Sequence, residues 1–238
     1  MTTLLLPPNP SDESVRLWRA ARAAGWDVVR SSGWRAPAGL PTEGLVIYGG
    51  ELFARAMQQQ LNRFPAPLPP PAWLPQLPRA LRQRDIRLTR PTPQAVPCFL
   101  KPVHDKWFAA GIYPAGHVLP PCPEEVDDAI YAAEVVRFET EWRLFVRDGA
   151  IAAACRYAVG GQPAGDDPSQ ADAARTFGKA VLATAGAALP PGVVLDVGEV
   201  AGRGWAVVEL NPIAESALYH ASADDVLPAI AAAYGVQA

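Results

Sequence analysis

Residues 193–212 read VVLDVGEVAGRGWAVVELNP. Two apolar runs flank AGRG (201–204), a loop that suits a β-hairpin. With that loop Val200 faces Trp205, and the same register carried down the strands sets Asp196 opposite Glu209. Glu209 and Asn211 lie two apart on one strand and share a face, while Leu195, Val197, Val208 and Leu210 point the other way. The hairpin therefore gathers two carboxylates and an amide, and on that face Val194, Trp205 and Val207 offer no counter-charge. Like charges set opposite each other across paired strands are destabilising. A hard divalent cation bound through oxygen removes the conflict, and Mg²⁺ takes few protein carboxylates when phosphates complete its shell. The alternative is a solvated edge, or one acid kept neutral by a raised pKa. A slip of one residue separates the pair.

A metal shared with phosphates needs cations nearby, and CFLKPVHDKWF (98–108) supplies them. The chain holds 21 lysines and arginines, and Lys101, Lys106 and Lys179 are its only lysines. A compact ammonium is not interchangeable with a planar guanidinium, so two lysines five residues apart stand out. Phe99 and Lys101 share one face of a strand, and Pro102 stops its pairing there, which lets Lys101 extend from a rigid sheet into a cleft. Lys106 sits in the following loop, ahead of WFAAGIY. The AAG of that loop is too short to cradle phosphates alone. With no GxxxxGK[ST] and no GxGxxG, a P-loop or a dinucleotide-binding domain is disfavoured.

The outer bounds agree. At 238 residues, 50% hydrophobic and 19% charged, the chain has a globular composition and room for one large domain or two small ones. A formal charge of −3 argues against broad binding to nucleic acid. The start MTTLLLPPNP lacks a signal pattern, and no apolar run reaches the roughly 18–20 residues of a membrane span. Cys98, Cys122 and Cys155 are odd in number and widely spaced, as expected of buried thiols in a cytoplasmic protein.

Along the chain, strands are expected at 3–6, 26–29 and 44–50, with helices from Ser11 or Asp12 to about Ala24 and over 51–61. Val15, Trp18 and Ala21 fall at helical spacing. This alternation predicts a small α/β unit with a parallel sheet. Seven prolines within 65–78 (PAPLPPPAWLPQLP) predict an extended surface connection without helix. Beyond it come a short helix at 78–84, extended segments to Val103, a helix over 123–133 with acidic residues in its first turn, and a strand over 134–138. A hairpin turning at Asp148–Gly149, a polar loop at 160–170, a helix over 169–188, the hairpin above and a helix over 222–234 complete an α+β region.

FLKP, then KWF, EVVRFETEWRLFV and LDVG…VVELNP, in that order, resemble the ATP-grasp superfamily, most of all its small R-two-K clade. The likeness spans roughly 78–220. It implies an ATP-grasp domain over 78–238, two lobes with a hinge near 134–138, and a pre-ATP-grasp-like α/β unit over 1–77. Lys101 would contact the α- and β-phosphates, with Lys106 assisting. The stretch from Glu134 through Val135 and Val136 to Phe138 would offer backbone groups to adenine. Glu141 and Arg143 match an E-[WY]-R motif, Arg143 pointing toward the phosphates or an acyl-phosphate and Glu141 without an assigned role. Asp196, Glu209 and Asn211 match magnesium ligands, with Mn²⁺ as a substitute.

The resemblance further implies an ADP-forming ligase that activates a small-molecule or peptide carboxylate as an acyl-phosphate for an amine. Lys106 and Arg143 would serve the chemistry, which needs positioning and charge neutralisation rather than a nucleophile–base pair. The competing readings are a small-molecule kinase on the same scaffold and a non-catalytic ATP-binding module. A covalent nucleotidyltransferase is disfavoured, because KPVHDK lacks a K-x-D-G order. His104 and His220 are candidates beside the phosphates and the acceptor, and Glu215 is either a further acid near the metal or, the favoured reading, a cap of the following turn. Arg156 and Tyr157 either face the site or pack on the surface, with surface packing favoured, and Trp107 and Phe108 read as lobe core.

Overall fold

The computed structural model describes residues 1–237. Strands β1 (Thr3–Leu6), β2 (Asp27–Arg30) and β3 (Leu45–Ile47) form a parallel sheet in the order β2-β1-β3, with α1 (Asp12–Ala23) and α2 (Glu51–Leu61) between and after them. Ser11 caps α1: its hydroxyl accepts from the Ser14 N–H at 3.2 Å, and the Ser14 hydroxyl accepts in return from the Ser11 N–H at 2.9 Å. The helix buries Ser14, Leu17, Ala20 and Ala21 rather than a Val15–Trp18–Ala21 stripe, and Trp18 stays 44% exposed. Besides its own sheet, α1 packs on the C-terminal helix, and that second neighbour rotates the buried arc.

The proline segment is extended except at α3 (Trp73–Gln76), a single turn where the sequence predicts none. Pro75 is tolerated because N–H groups of a first turn have no helical acceptor to lose. After α4 (Arg79–Arg82) come β4 (Ile86–Thr89), β5 (Cys98–Pro102), β6 (Gly111–Tyr113) and β7 (Ile130–Ala133), an antiparallel sheet ordered β4-β7-β5-β6. Pro102 still pairs with Ile130 and is the last residue of its strand.

No helix forms over 123–133. Val126 donates to the Pro123 carbonyl at 3.1 Å, Asp127 accepts from the Ala129 N–H at 3.0 Å, and the chain then enters β7. Local side-chain bonding of this kind competes with a helix, and two strands waiting to pair with Ile130–Ala133 decide the outcome. The strand expected over 134–138 is likewise absent until Phe138. Residues 134–137 form the irregular passage from this sheet to the next.

The third sheet joins both hairpins. Strands β8 (Phe138–Arg147), β9 (Ala150–Val159), β10 (Gln162–Pro163), β11 (Gly192–Val200) and β12 (Gly204–Asn211) take the order β10-β9-β8-β11-β12. Helix α5 (Ala171–Ala185) precedes β11, and α6 (Ala223–Ala233), capped by Ser222, follows β12. Asp148 and Gly149 both have positive φ, +48° and +75°, as a two-residue hairpin turn requires.

This sheet is a middle layer. Trp142, Leu144, Leu195 and Val197 face one core with Ala174 and Val181 of α5. Phe145 and Val194 face another, shared with α6 and with Leu4–Leu6, Leu17 and Met57 of the N-terminal unit. The small antiparallel sheet has its own core of Cys98, Leu100, Phe108, Ile130 and Ala132, against which Trp107 packs as expected. Cys98 and Cys155 are buried, whereas Cys122 is partly exposed, and all three are free thiols. Among the described residues no helix is long and apolar enough to cross a membrane.

Candidate active site

The strand register writes the site. On β8, β11 and β12, Arg143, Asp196 and Glu209 stand side by side, Asp196 pairing with Arg143 on one flank and Glu209 on the other. The predicted Asp196–Glu209 pairing holds, but not for the predicted reason. Near the loop, Val200 pairs with Gly204 and Glu199 with Trp205, one step away from the expected register. A β-bulge at Val208 takes up that step before Glu209. In consequence Val207 and Trp205 turn toward the α5 core, leaving the carboxylate face.

The expectation that this face lacks counter-charge is also corrected. Arg143 forks onto Asp196, Nε to Oδ1 at 2.9 Å and Nη2 to Oδ2 at 2.8 Å, and its Nη1 donates to the Ala217 carbonyl at 3.1 Å. Lys101 donates its ammonium to Glu209 Oε2. Asn211 sits between the acids, its amide nitrogen donating to Asp196 Oδ2 at 2.9 Å and to Glu209 Oε1 at 3.0 Å. Two cations and two anions thus balance, from strands that sequence order keeps far apart.

Burial pushes the Asp196 carboxyl up, against the Arg143 pair that stabilises its charge. Burial acts on Glu209 in the same direction, but the Lys101 ammonium and the Asn211 amide outweigh it and hold that carboxyl below the usual range. Arg143 is kept protonated by Asp196 despite its own burial. Its guanidinium also lies 5.0 Å from the ring centre of Tyr219 and 5.6 Å from that of Tyr157, and the two rings stack at 5.3 Å.

Two cavities open onto this cluster. One, of about 680 Å³, runs between the antiparallel sheets and is lined by Glu134, Val135, Val136, Phe138 and Glu141 at the passage between them. The other, of about 960 Å³, lies toward the N-terminal unit and is lined by Arg143, Asn211, Lys106 and Tyr219. Lys101, Glu209, Tyr131, Leu74 and Ala110 line both, and the charged pair among them is Lys101–Glu209. Asp196, 1% exposed, lies behind that pair and lines neither.

The remaining expected residues are distributed as follows. The Glu134 carboxylate is drawn down to about 2 by its bond to Arg203 and by the Asp85 N–H, and it also meets Arg79. Its own N–H is spent on the Asp85 carbonyl at 2.8 Å. Burial raises the Glu141 carboxyl, which accepts from the Tyr157 hydroxyl at 2.9 Å. Lys106 is 83% exposed on its loop and donates to Glu51 of α2 at 2.8 Å. His104 and Glu215 line the larger cavity, while His220 is exposed and lines neither. Arg156 is held outside, on Asp167 and the Gly165 carbonyl.

Tyr157 faces the site, where surface packing was favoured, because it is the extra residue of a bulge in β9 opposite Glu141 and Trp142. Arg84 has no signal in the sequence. Its buried guanidinium donates to the carbonyls of Val207 at 2.7 Å and Val208 at 3.1 Å, fastening the bulge beside Glu209. Burial lowers its pKa to about 10, which leaves it charged at neutral pH.

The model of the ATP-grasp domain of the R-two-K clade, family 2, matches residues 77–229. The chain belongs to that clade of ATP-grasp domain proteins. No curated protein sequence matches it. Among solved structures, a RimK domain ATP-grasp protein from Sphaerobacter thermophilus superposes with a TM-score of 0.55 at 13% identity, covering 97% of this chain and 98% of that one. The D-cycloserine synthetase DcsG gives 0.54 at 15% identity, covering 96% and 98%. The ATP-grasp ligase PsnB, solved with a phosphomimetic variant of its minimal precursor, Mg and ADP, gives 0.53 at 13% identity, covering 98% and 99%. At these identities the likeness shows the fold. In this ATP-grasp chain the smaller cavity lies between the two antiparallel sheets.

Proposed function

We propose that this ATP-grasp protein is an ATP- and Mg²⁺-dependent ligase that activates a carboxylate as an acyl-phosphate, releases ADP, and passes the acyl group to an amine. The observation that carries the reading is the junction of the two cavities at the Lys101–Glu209 pair, with Asn211 beside it on the wall of the larger one. A nucleotide in the smaller cavity and a second molecule in the larger one would meet there.

The residues fit a magnesium ion. Glu209 and Asn211 present oxygen to the junction once the Asn211 amide turns over, and Asp196 has lone pairs beyond those its Arg143 bonds use. When bound, the ion supplies charge neutralisation for the polyphosphate. The passage at 134–138 offers backbone groups to adenine with Val135 and Val136 beside the base. Lys101, released from Glu209, neutralises the α- and β-phosphates. Arg143, locked by Asp196, Ala217 and two tyrosine rings, presents a fixed positive charge to the transferring phosphoryl group. Lys106 joins the phosphates when its loop leaves α2. The carboxylate oxygen bonds to the γ-phosphorus as the bond to ADP breaks. The amine then bonds to the acyl carbon, and phosphate leaves.

Hydroxylamine in place of the amine tests this. Across a panel of carboxylic acids, carboxylate-dependent ADP release with accumulation of a hydroxamate is expected. Glu209→Gln should reduce it by about 10²–10³-fold, the usual cost of one preorganised charge-stabilising group. ADP release without hydroxamate points to a kinase acting on a hydroxyl, and tight ATP binding without turnover to a binding module.

A further inference from the structure

Helix α2 carries Glu51 and Arg55 one turn apart, both lining the larger cavity. Arg55 is contacted by three carboxylates from three places: Glu51 at 3.1 Å, Asp105 of the β5–β6 loop at 3.1 Å, and Glu215 beyond β12 at 3.5 Å. Glu51 in turn accepts from Lys106 of the same loop at 2.8 Å. Asp105 and Lys106 are sequence neighbours. Their side chains therefore set a carboxylate on Arg55 and an ammonium on Glu51, side by side.

That is the charge pattern of a zwitterion. Both loop residues are well exposed, and exposed ion pairs contribute little to stability. A ligand that brings the same two charges on one small frame displaces them at little cost and loses less side-chain freedom than the loop does. Glu215 is far more enclosed, with 11% of its side chain exposed, and backs Arg55 from a fixed turn.

We infer that Glu51, Arg55 and Glu215 form a subsite for the carboxylate and ammonium of an α-amino acid, which the Asp105–Lys106 pair occupies as an internal surrogate when no amino acid is present. Arg55 takes the carboxylate through its planar fork, and Glu51 takes the ammonium. Displacement frees Lys106, so amino-acid binding and completion of the phosphate site are linked. The identity of the occupant as a co-substrate rests on the ligase reading, but its binding does not.

Calorimetric titration of the protein saturated with Mg²⁺ and a non-hydrolysable ATP analogue, using the standard L-amino acids, tests the subsite without turnover. At least one is expected to bind, and its amide and N-acetyl derivatives to bind at least about tenfold more weakly. Arg55→Met should weaken binding by about 10–100-fold. Asp105→Asn, which tolerates the positive φ of that position, should tighten it by up to about fivefold by removing the surrogate charge. Both variants should keep a melting temperature close to that of wild type, because exposed ion pairs contribute little, which certifies the fold. Binding by no amino acid, equal binding of the derivatives, or insensitivity to both substitutions overturns the subsite, and any of these leaves the hydroxamate result standing on its own.

Discussion

Arg143 and Asp196 show what burial does to a pair of charges. The register places them on adjacent strands, and the fork between them leaves Asp196 with both oxygens engaged. Removing the cation alone strands a buried carboxylate, a loss of about 3–5 kcal/mol. Arg143→Met should therefore lower the stability measured by urea unfolding by about that amount. The double variant with Asp196→Asn should recover a large part of it, since the uncompensated charge is gone. Equal stability of the two variants would show that the pair is solvated in solution. The shared face of Glu209 and Asn211 was legible from alternation along β12, whereas Asp196 stands opposite Glu209 only because the bulge at Val208 offsets a loop register one step away from the expected one. Arg143 as their counter-charge was not legible, since no local pattern says that β8 lies against β11.

Among the elements, the passage 134–137 matters most to the site. Glu134 ties it to Arg79 of α4, ahead of β4, and to Arg203 in the β11–β12 loop, so one carboxylate links segments adjoining both sheets. Its carboxyl sits at about 2, against an ordinary 4.5, chiefly through Arg203. A depressed carboxyl stabilises the folded state above its unfolded value and loses that contribution as pH falls through the folded one. Wild type should thus exceed Glu134→Gln in melting temperature by a constant margin above about pH 4.5, and the margin should vanish toward pH 2. A margin that grows as pH falls would contradict the Arg203 bond. The two bulges belong to this scale as well. Val208 and Tyr157 reach the smaller cavity only because each is an extra residue in its ladder. A bulge has no composition signature, which is why a strict alternation put Val207, Val208 and Trp205 on the wrong faces and nothing in the sequence decided where Tyr157 faces.

For the whole molecule, the order of elements was legible from apolar runs and turn residues: the parallel β2-β1-β3 unit, both hairpins and the closing helix stand where those signals fall. The helix expected over 123–133 failed for a reason of long range, since β7 completes a sheet between strands that precede it by about 30–45 residues. The N-terminal unit, which sequence reads as a separate piece, shares one continuous core with α6 and one face of the β8–β11 sheet. That shared core brings Glu51 and Arg55 to the larger cavity, across some fifty residues of chain from the loop they bind. The distribution of labour follows: one cavity between two sheets, a second against the N-terminal unit, and charged side chains at their meeting point.

A crystal structure of the protein with Mg²⁺ and a non-hydrolysable ATP analogue is the most direct test. Adenine is expected against 134–138 in the smaller cavity, with Lys101 moved from Glu209 to the phosphates and the ion held by Glu209 and Asn211 where the cavities join. A nucleotide lodged elsewhere, or an ion with no contact to Glu209, would contradict the proposed site.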